Sequence, residues 1–99
     1  PLHLRLRQKH EDIWDERKQH TVALIRDADF ELKLLSCADK LSNIRDTIND
    51  LRYQGKEIEH YEKNKWYYSS MLKSFSTSSE LRKTNAYKEF KEAVETIYT

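Results

Sequence analysis

The chain has 99 residues, of which 35% are charged and 37% hydrophobic, and its formal net charge is +1. This length suits one domain or part of one, and the near-neutral charge does not favour a nucleic-acid partner. The single cysteine excludes an internal disulfide and a cysteine-based zinc site. A reducing, cytoplasmic setting is therefore the default expectation. No apolar run approaches the roughly 18 residues that a membrane span requires, so we expect no membrane partner.

Glycine and proline occur once each, and this scarcity indicates the fold class. Sheets need tight turns, which depend on these two residues, whereas the abundant Lys, Glu, Leu and Arg favour helices. We therefore expect an all-α fold, a small helical bundle of three long helices plus a shorter fourth. Residues 1–12 alternate leucine with polar residues and are predicted to form a loose N-terminal tail or a lead-in to the first helix, while residues 13–98 form the helical part.

The first two helices are predicted from apolar residues at helical spacing. One spans residues 13–28, with Asp12 as its N-cap. The longest spans residues 30–53 and ends before Gly55, the only glycine. Its apolar stripe is predicted to comprise Leu34, Ala38, Leu41, Ile44, Ile48 and Leu51.

The second half of the chain is predicted to hold a third helix over residues 56–75 and a last helix that ends near Tyr98. A serine-rich linker over residues 74–79 separates them, because serine side chains compete with helix hydrogen bonds. The last helix begins either behind a serine cap at position 78 or 79, or at Asn85. The third helix carries the run Trp66-Tyr67-Tyr68, which could stack on bases but fits the core of a bundle better.

A polar stripe on the second helix is the candidate functional feature. Its members are spaced by four, three and four residues, so they lie on one side of the helix: Asp39, Asn43, Asp46 and Asp50. Like charges at such spacing repel by about 0.2–0.5 kcal/mol per pair. Spacing alone leaves two interpretations open: a solvated face with local salt bridges, or a site for a metal or substrate.

The run Leu34–Arg45, which reads Leu-Leu-Ser-Cys-Ala-Asp-Lys-Leu-Ser-Asn-Ile-Arg, favours the second interpretation. It resembles the late motif of HD-domain metal-dependent phosphohydrolases. The resemblance is closest to the guanosine polyphosphate hydrolases and their small stand-alone relatives. Residues 14–21 and 63–68 also resemble segments of those relatives, and the whole resemblance covers about residues 13–98.

The resemblance implies a role for two of the polar residues and departs from the family pattern at a third. Asp39 matches the last metal-ligand aspartate of the family, which would bind a divalent cation such as Mn²⁺ or Mg²⁺. Asn43 matches an asparagine that shapes the nucleotide pocket. Asp46 is a further candidate catalytic residue, at a position where these hydrolases usually have a small hydroxyl residue. The implied substrate is a nucleotide or a guanosine polyphosphate.

The resemblance also implies an incomplete site in this chain. The family uses an earlier histidine and a His-Asp doublet as further metal ligands, and none of the four histidines here precedes an aspartate. We therefore expect the C-terminal part of such an enzyme, inactive alone, and the absence of an initial methionine agrees with this. An uncovered apolar face would then favour self-association. The alternative is a non-catalytic helical module for interaction or regulation.

Overall fold

The computed structural model describes residues 2–54 and 61–98, and all regular structure in these ranges is helical. The predicted all-α bundle is confirmed. Among the described residues, no helix is both long enough and apolar enough to cross a membrane. In chain order, the helices of the two ranges are α1 (Leu2–Arg26), α2 (Phe30–Gln54), α3 (Tyr61–Ser76), α4 (Ser79–Arg82) and α5 (Asn85–Tyr98).

The structure differs from the prediction at the start of the chain. Instead of a loose tail over residues 1–12, helix α1 begins at Leu2 and continues to Arg26. Its residues include no glycine or proline, and most of its first half consists of good helix formers. A hydrogen bond of 3.0 Å from Gln8 Nε2 to Asp12 Oδ1 joins successive turns. The alternation of leucines therefore does not predict the structure of these residues, because helix propensity without a helix breaker outweighs a short period-two pattern.

The turn between α1 and α2 is fixed by three polar contacts. Asp29 caps α2, since its Oδ1 accepts a hydrogen bond of 2.9 Å from the Leu32 backbone N–H. The backbone N–H of Lys33 donates to the Asp29 carbonyl at 3.0 Å. The Lys33 ammonium reaches back and donates to the Ala28 carbonyl at 2.9 Å. Helix α2 thus begins close to the predicted residue, while Gly55 lies outside the described residues.

Both predicted starts of the last helix are realised, as two separate helices. Ser78 caps the short α4, because its Oγ accepts a hydrogen bond from the Leu81 N–H at 3.1 Å. Thr84 Oγ1 then accepts from the Tyr87 N–H at 3.2 Å, in the first turn of α5. Helix α3 continues to Ser76, three residues into the predicted linker, and its predicted residues 56–60 lie outside the described residues.

The core lies where α5 packs on α2 and where α3 packs on α1 and α5. Phe75 and Phe90 meet edge to face with ring centroids 5.5 Å apart, which joins α3 to α5. The buried Ser74 Oγ donates a hydrogen bond of 3.0 Å to the Val22 carbonyl, which joins α3 to α1. The largest fully buried side chains are Phe75, Phe90, Ile44, Met71, Leu81 and Cys37.

The buried stripe of α2 is rotated from the predicted one. Leu41 and Ile44 are buried as expected, but Ala38 is exposed. Cys37 and Lys33 take the inward positions instead, and they continue the same helical row toward the N-terminus. A small alanine contributes little apolar area, so the packing of its larger neighbours sets the rotation of the helix.

Candidate active site on helix α2

The three candidate residues on α2 lie together on one exposed face, which we call the polar face: Asp39, Asn43 and Asp46. Each follows a buried residue of the same helix by two positions, and those residues are Cys37, Leu41 and Ile44. Two residues correspond to about 200° around a helix axis, so the polar face points away from the core. The side chain of the fourth stripe member, Asp50, lies outside the described residues.

Asp39 is paired with its neighbour in sequence. Its Oδ2 lies 3.1 Å from the Lys40 Nζ, and the two side chains are 63% and 16% exposed, respectively. The carboxylate end of this pair is open to water, so the pair holds Asp39 only weakly. Asp39 therefore remains accessible to a cation that competes with Lys40.

Asn43 and Asp46 follow Asp39 along the same side of α2. Thr47 Oγ1 donates a hydrogen bond of 3.2 Å to the backbone carbonyl of Asn43. This contact involves only the backbone of Asn43, whose side chain is exposed. Asp46 is exposed as well. The structure thus brings the three predicted residues to one surface without tying their side chains to the core.

Tyr68 of α3 was not predicted as part of the site, yet the charges of Asp39 and Asp46 affect the pKa of its hydroxyl. Burial raises the pKa of its hydroxyl. The positive charge of Lys40 opposes this, while the negative charges of Asp39 and Asp46 raise the pKa further. The phenol therefore stays protonated to a higher pH than an ordinary tyrosine.

Lys18 of α1 is the second residue that the sequence did not single out. Its Nζ lies 4.2 Å from the ring centroid of the buried Tyr67, and 5.5 Å from that of Trp14. Burial and the nearby charge of Lys40 both lower the pKa of Lys18. A signal was present, because Lys18 falls within residues 14–21, one of the segments that carries the resemblance.

Lys40 contacts both Asp39 of the polar face and the Tyr67 ring, over which Lys18 also lies. Its Nζ lies 5.8 Å from the Tyr67 ring centroid. Burial lowers the pKa of Lys40, but hydrogen bonds and charge interactions with Asp39 and Tyr67 outweigh burial and leave the pKa raised. Lys40 is therefore a firmly charged group between the carboxylate of Asp39 and the Tyr67 ring.

Arg45, the last residue of the sequence motif, has a structural partner. Its Nη2 lies 3.5 Å from Glu89 Oε1, and both side chains are about half exposed. This ion pair connects α2 to α5 across the surface. It accords with a structural salt bridge rather than with a substrate contact.

The aromatic run of α3 divides among three environments. Tyr67 is buried, Tyr68 is half-buried, and Trp66 is 43% exposed. Tyr67 and Tyr68 also contact each other, with centroids 5.6 Å apart. The three rings cannot form one stacking row for bases, because successive residues on a helix point about 100° apart.

The described residues do not complete a metal site by themselves. Among the side chains that the structure describes, no three of His, Cys, Asp or Glu converge closely enough to hold a metal ion. His10 and His20 are exposed on α1. The side chains of His3 and His60 lie outside the described residues. Asp39 alone supplies one carboxylate, which fits a divalent cation in type but not in number of ligands.

Comparisons with known proteins give no match to a protein-family model, a curated protein or a solved structure. The resemblance to the phosphohydrolases therefore depends on the residues of the motif alone.

Proposed function

We propose that this chain is the C-terminal part of an HD-type metal-dependent phosphohydrolase domain that acts on a nucleotide or a guanosine polyphosphate. The supporting observation is the polar face, where Asp39, Asn43 and Asp46 share one exposed surface of α2. In this proposal Asp39 is a ligand for Mn²⁺ or Mg²⁺, Asn43 contacts the nucleotide, and Asp46 is a catalytic residue. Exposure is what these roles require, since each side chain must reach a group outside the chain.

In this proposal, the remaining metal ligands are the earlier histidine and the His-Asp doublet, which come from the preceding part of the parent domain or from another chain. Hydrolysis of a phosphoester at neutral pH needs a metal that acidifies water and offsets phosphate charge. A useful metal site needs several converging ligands with supporting hydrogen bonds. One exposed carboxylate binds a divalent cation feebly, so we expect the 99-residue chain to be inactive alone.

Manganese binding at Asp39 is the direct test. Paramagnetic Mn²⁺ added to the isotopically labelled chain should broaden the amide signals of residues 36–46 most strongly. Asp39→Asn should abolish this local broadening, because the amide removes the charge but keeps the shape. Asp27→Asn is the matched control: Asp27 is also exposed, and it is also paired with a neighbour in sequence, Arg26, at 3.4 Å. It should leave the broadening around Asp39 unchanged.

The same titration can contradict the proposal. If Mn²⁺ broadens residues 36–46 equally in wild type and Asp39→Asn, Asp39 is not a metal ligand. If broadening follows every exposed carboxylate alike, α2 holds no metal preference.

A non-catalytic interaction module is the second candidate function. The observation that favours it is a set of exposed leucines on either side of the α1–α2 turn: Leu24, Leu32 and Leu35. Exposed apolar groups of this size are common at surfaces that contact another protein. Loss of all metal preference in the titration above would favour this candidate.

A further inference from the structure

Two lysine ammonium groups from different helices face one buried ring. Lys18 of α1 lies 4.2 Å from the centroid of Tyr67, and Lys40 of α2 lies 5.8 Å from it. Tyr67 itself comes from α3 and is 4% exposed. Three helices therefore converge to hold two positive charges close together, beside the carboxylate of Asp39.

The two positive charges are not balanced within the described part of the chain. The only carboxylate paired with either lysine there is Asp39, which is paired with Lys40. The contacts of Lys18 in the same residues are the aromatic faces of Trp14 and Tyr67. An aromatic face attracts a cation but carries no net charge, so the pair retains about one excess positive charge.

The two ammonium groups also have N–H donors available for a ligand. An ammonium group has three N–H donors. Lys40 donates a hydrogen bond of 3.1 Å to Asp39 Oδ2 and also interacts with Tyr67, so at least one of its three donors remains. Both lysines are half-buried, so a group that binds there would be partly shielded from water and would interact more strongly with them than on an open surface.

We propose that Lys18 and Lys40 form a binding site for a phosphate-containing anion next to Asp39. A lysine binds phosphate as a compact positive charge, and two lysines from separate helices can each donate to an oxygen of the same diphosphate group. The inference rests on the proposed function in taking that diphosphate to be part of the substrate. The anion site itself forms without a metal.

Inorganic pyrophosphate is the probe, titrated into the chain in EDTA and followed by the NMR signals of the Lys18 and Lys40 side chains. Lys18→Gln should weaken binding about tenfold, the effect of losing one charge-assisted hydrogen bond. Lys18→Arg should retain most of the affinity. Lys63→Gln is the matched control, because Lys63 also lies over an aromatic ring, Trp14, at 5.2 Å, but is paired with Asp15 at 3.5 Å. It should change the affinity less than about twofold, within the range of exposed ion pairs.

Asp39→Asn separates this inference from the proposed function. Removing that carboxylate frees Lys40 and eliminates a repulsive negative charge, so pyrophosphate should bind more tightly in EDTA. The Mn²⁺ titration of the same variant should show the opposite change, a loss of metal binding. Each result can fail without the other.

Two outcomes overturn the anion site. One is that excess pyrophosphate causes no change in the chemical shifts of the Lys18 and Lys40 side chains. The other is unchanged affinity in Lys18→Gln while its amide spectrum still shows the folded chain. The lysines would then serve only to cover the ring of Tyr67.

Discussion

Lys33 shows how one charged residue can belong to the interior of a small bundle. It is 6% exposed, yet its ammonium donates a hydrogen bond of 2.9 Å to the Ala28 carbonyl. This carbonyl lies just beyond the end of α1, where backbone acceptors lack helical partners and the helix dipole favours a cation. The buried charge is thus stabilised by the polar end of a neighbouring helix.

The buried thiol of Cys37 should react slowly, because burial raises its pKa from 9.0 to about 11. The thiolate is the reactive form, and each pKa unit changes its fraction tenfold. We expect alkylation by iodoacetamide at pH 8 to be at least about hundredfold slower in the native chain than in urea. Equal rates in the two conditions would contradict the burial of this thiol.

The raised pKa of Cys37 also makes the free energy of unfolding depend on pH. Below pH 9.0 the thiol is protonated in both states, so its contribution to folding is complete. As the pH rises toward about 11, the unfolded chain loses this proton first, and the free energy of unfolding falls. Cys37→Ala should remove this part of the decline, as followed by urea denaturation at several pH values.

The burial of Cys37 was predictable from the sequence, and that of Lys33 was not. A small, weakly polar side chain next to apolar positions of a helical row is expected inside. A lysine is expected outside, and only the geometry of the α1–α2 turn offers it a carbonyl. The polar face was predictable for a similar reason: the spacing of Asp39, Asn43 and Asp46 fixes their common side of α2. The contribution of Lys18 was not, because it depends on packing between helices.

At the scale of elements, the first turn of α2 determines how the polar face is presented. Asp29 accepts a hydrogen bond from the Leu32 N–H at 2.9 Å and sets where the helix begins. Each residue farther along adds about 100° of rotation, so the start of α2 and the packing of its row together fix the direction of Asp39. Short-range capping chemistry therefore supports a candidate site ten residues away.

Loss of this cap is expected to weaken the whole bundle. Asp29→Ala should lower the free energy of unfolding by about 1 kcal/mol, whereas Asp29→Asn should retain most of it, since asparagine caps about equally well. Asp27→Ala removes another exposed aspartate of the same turn and should change stability by less than about 0.5 kcal/mol. Urea denaturation followed by circular dichroism measures all three. Equal losses in Asp29→Ala and Asp27→Ala would show that the cap does not support α2.

The elements themselves were predicted well where periodicity was long and poorly where it was short. The start of α2 and the end of α5 agree with the sequence because each has several apolar residues at helical spacing. The first turns of α1 could not be decided from the sequence, because their leucines follow a local period of two. The division into α4 and α5 was open in the sequence, since both Ser78 and Asn85 carried start signals, and the structure uses both.

At the scale of the whole molecule, the bundle buries one side of α2 and leaves the other open. The core side packs on α5, whereas Leu35 remains 69% exposed one turn before Asp39. The exposed apolar and polar residues therefore continue along one side of the same helix. A partner that covers Leu35 would also approach the polar face.

Self-association, which the sequence analysis predicts, would place a second copy of the chain on this surface. The exposed leucines at the α1–α2 turn favour burial, at about 25 cal/mol per Å² of apolar area removed from water. Sedimentation velocity over a range of concentrations should show a monomer–dimer equilibrium. Leu35→Glu should shift it to monomer, because a carboxylate is costly to bury. Leu6→Glu is the control, since Leu6 is 50% exposed but lies near the opposite end of α1. A wild-type chain that stays monomeric at every concentration, or equal effects of the two substitutions, would contradict association through Leu35.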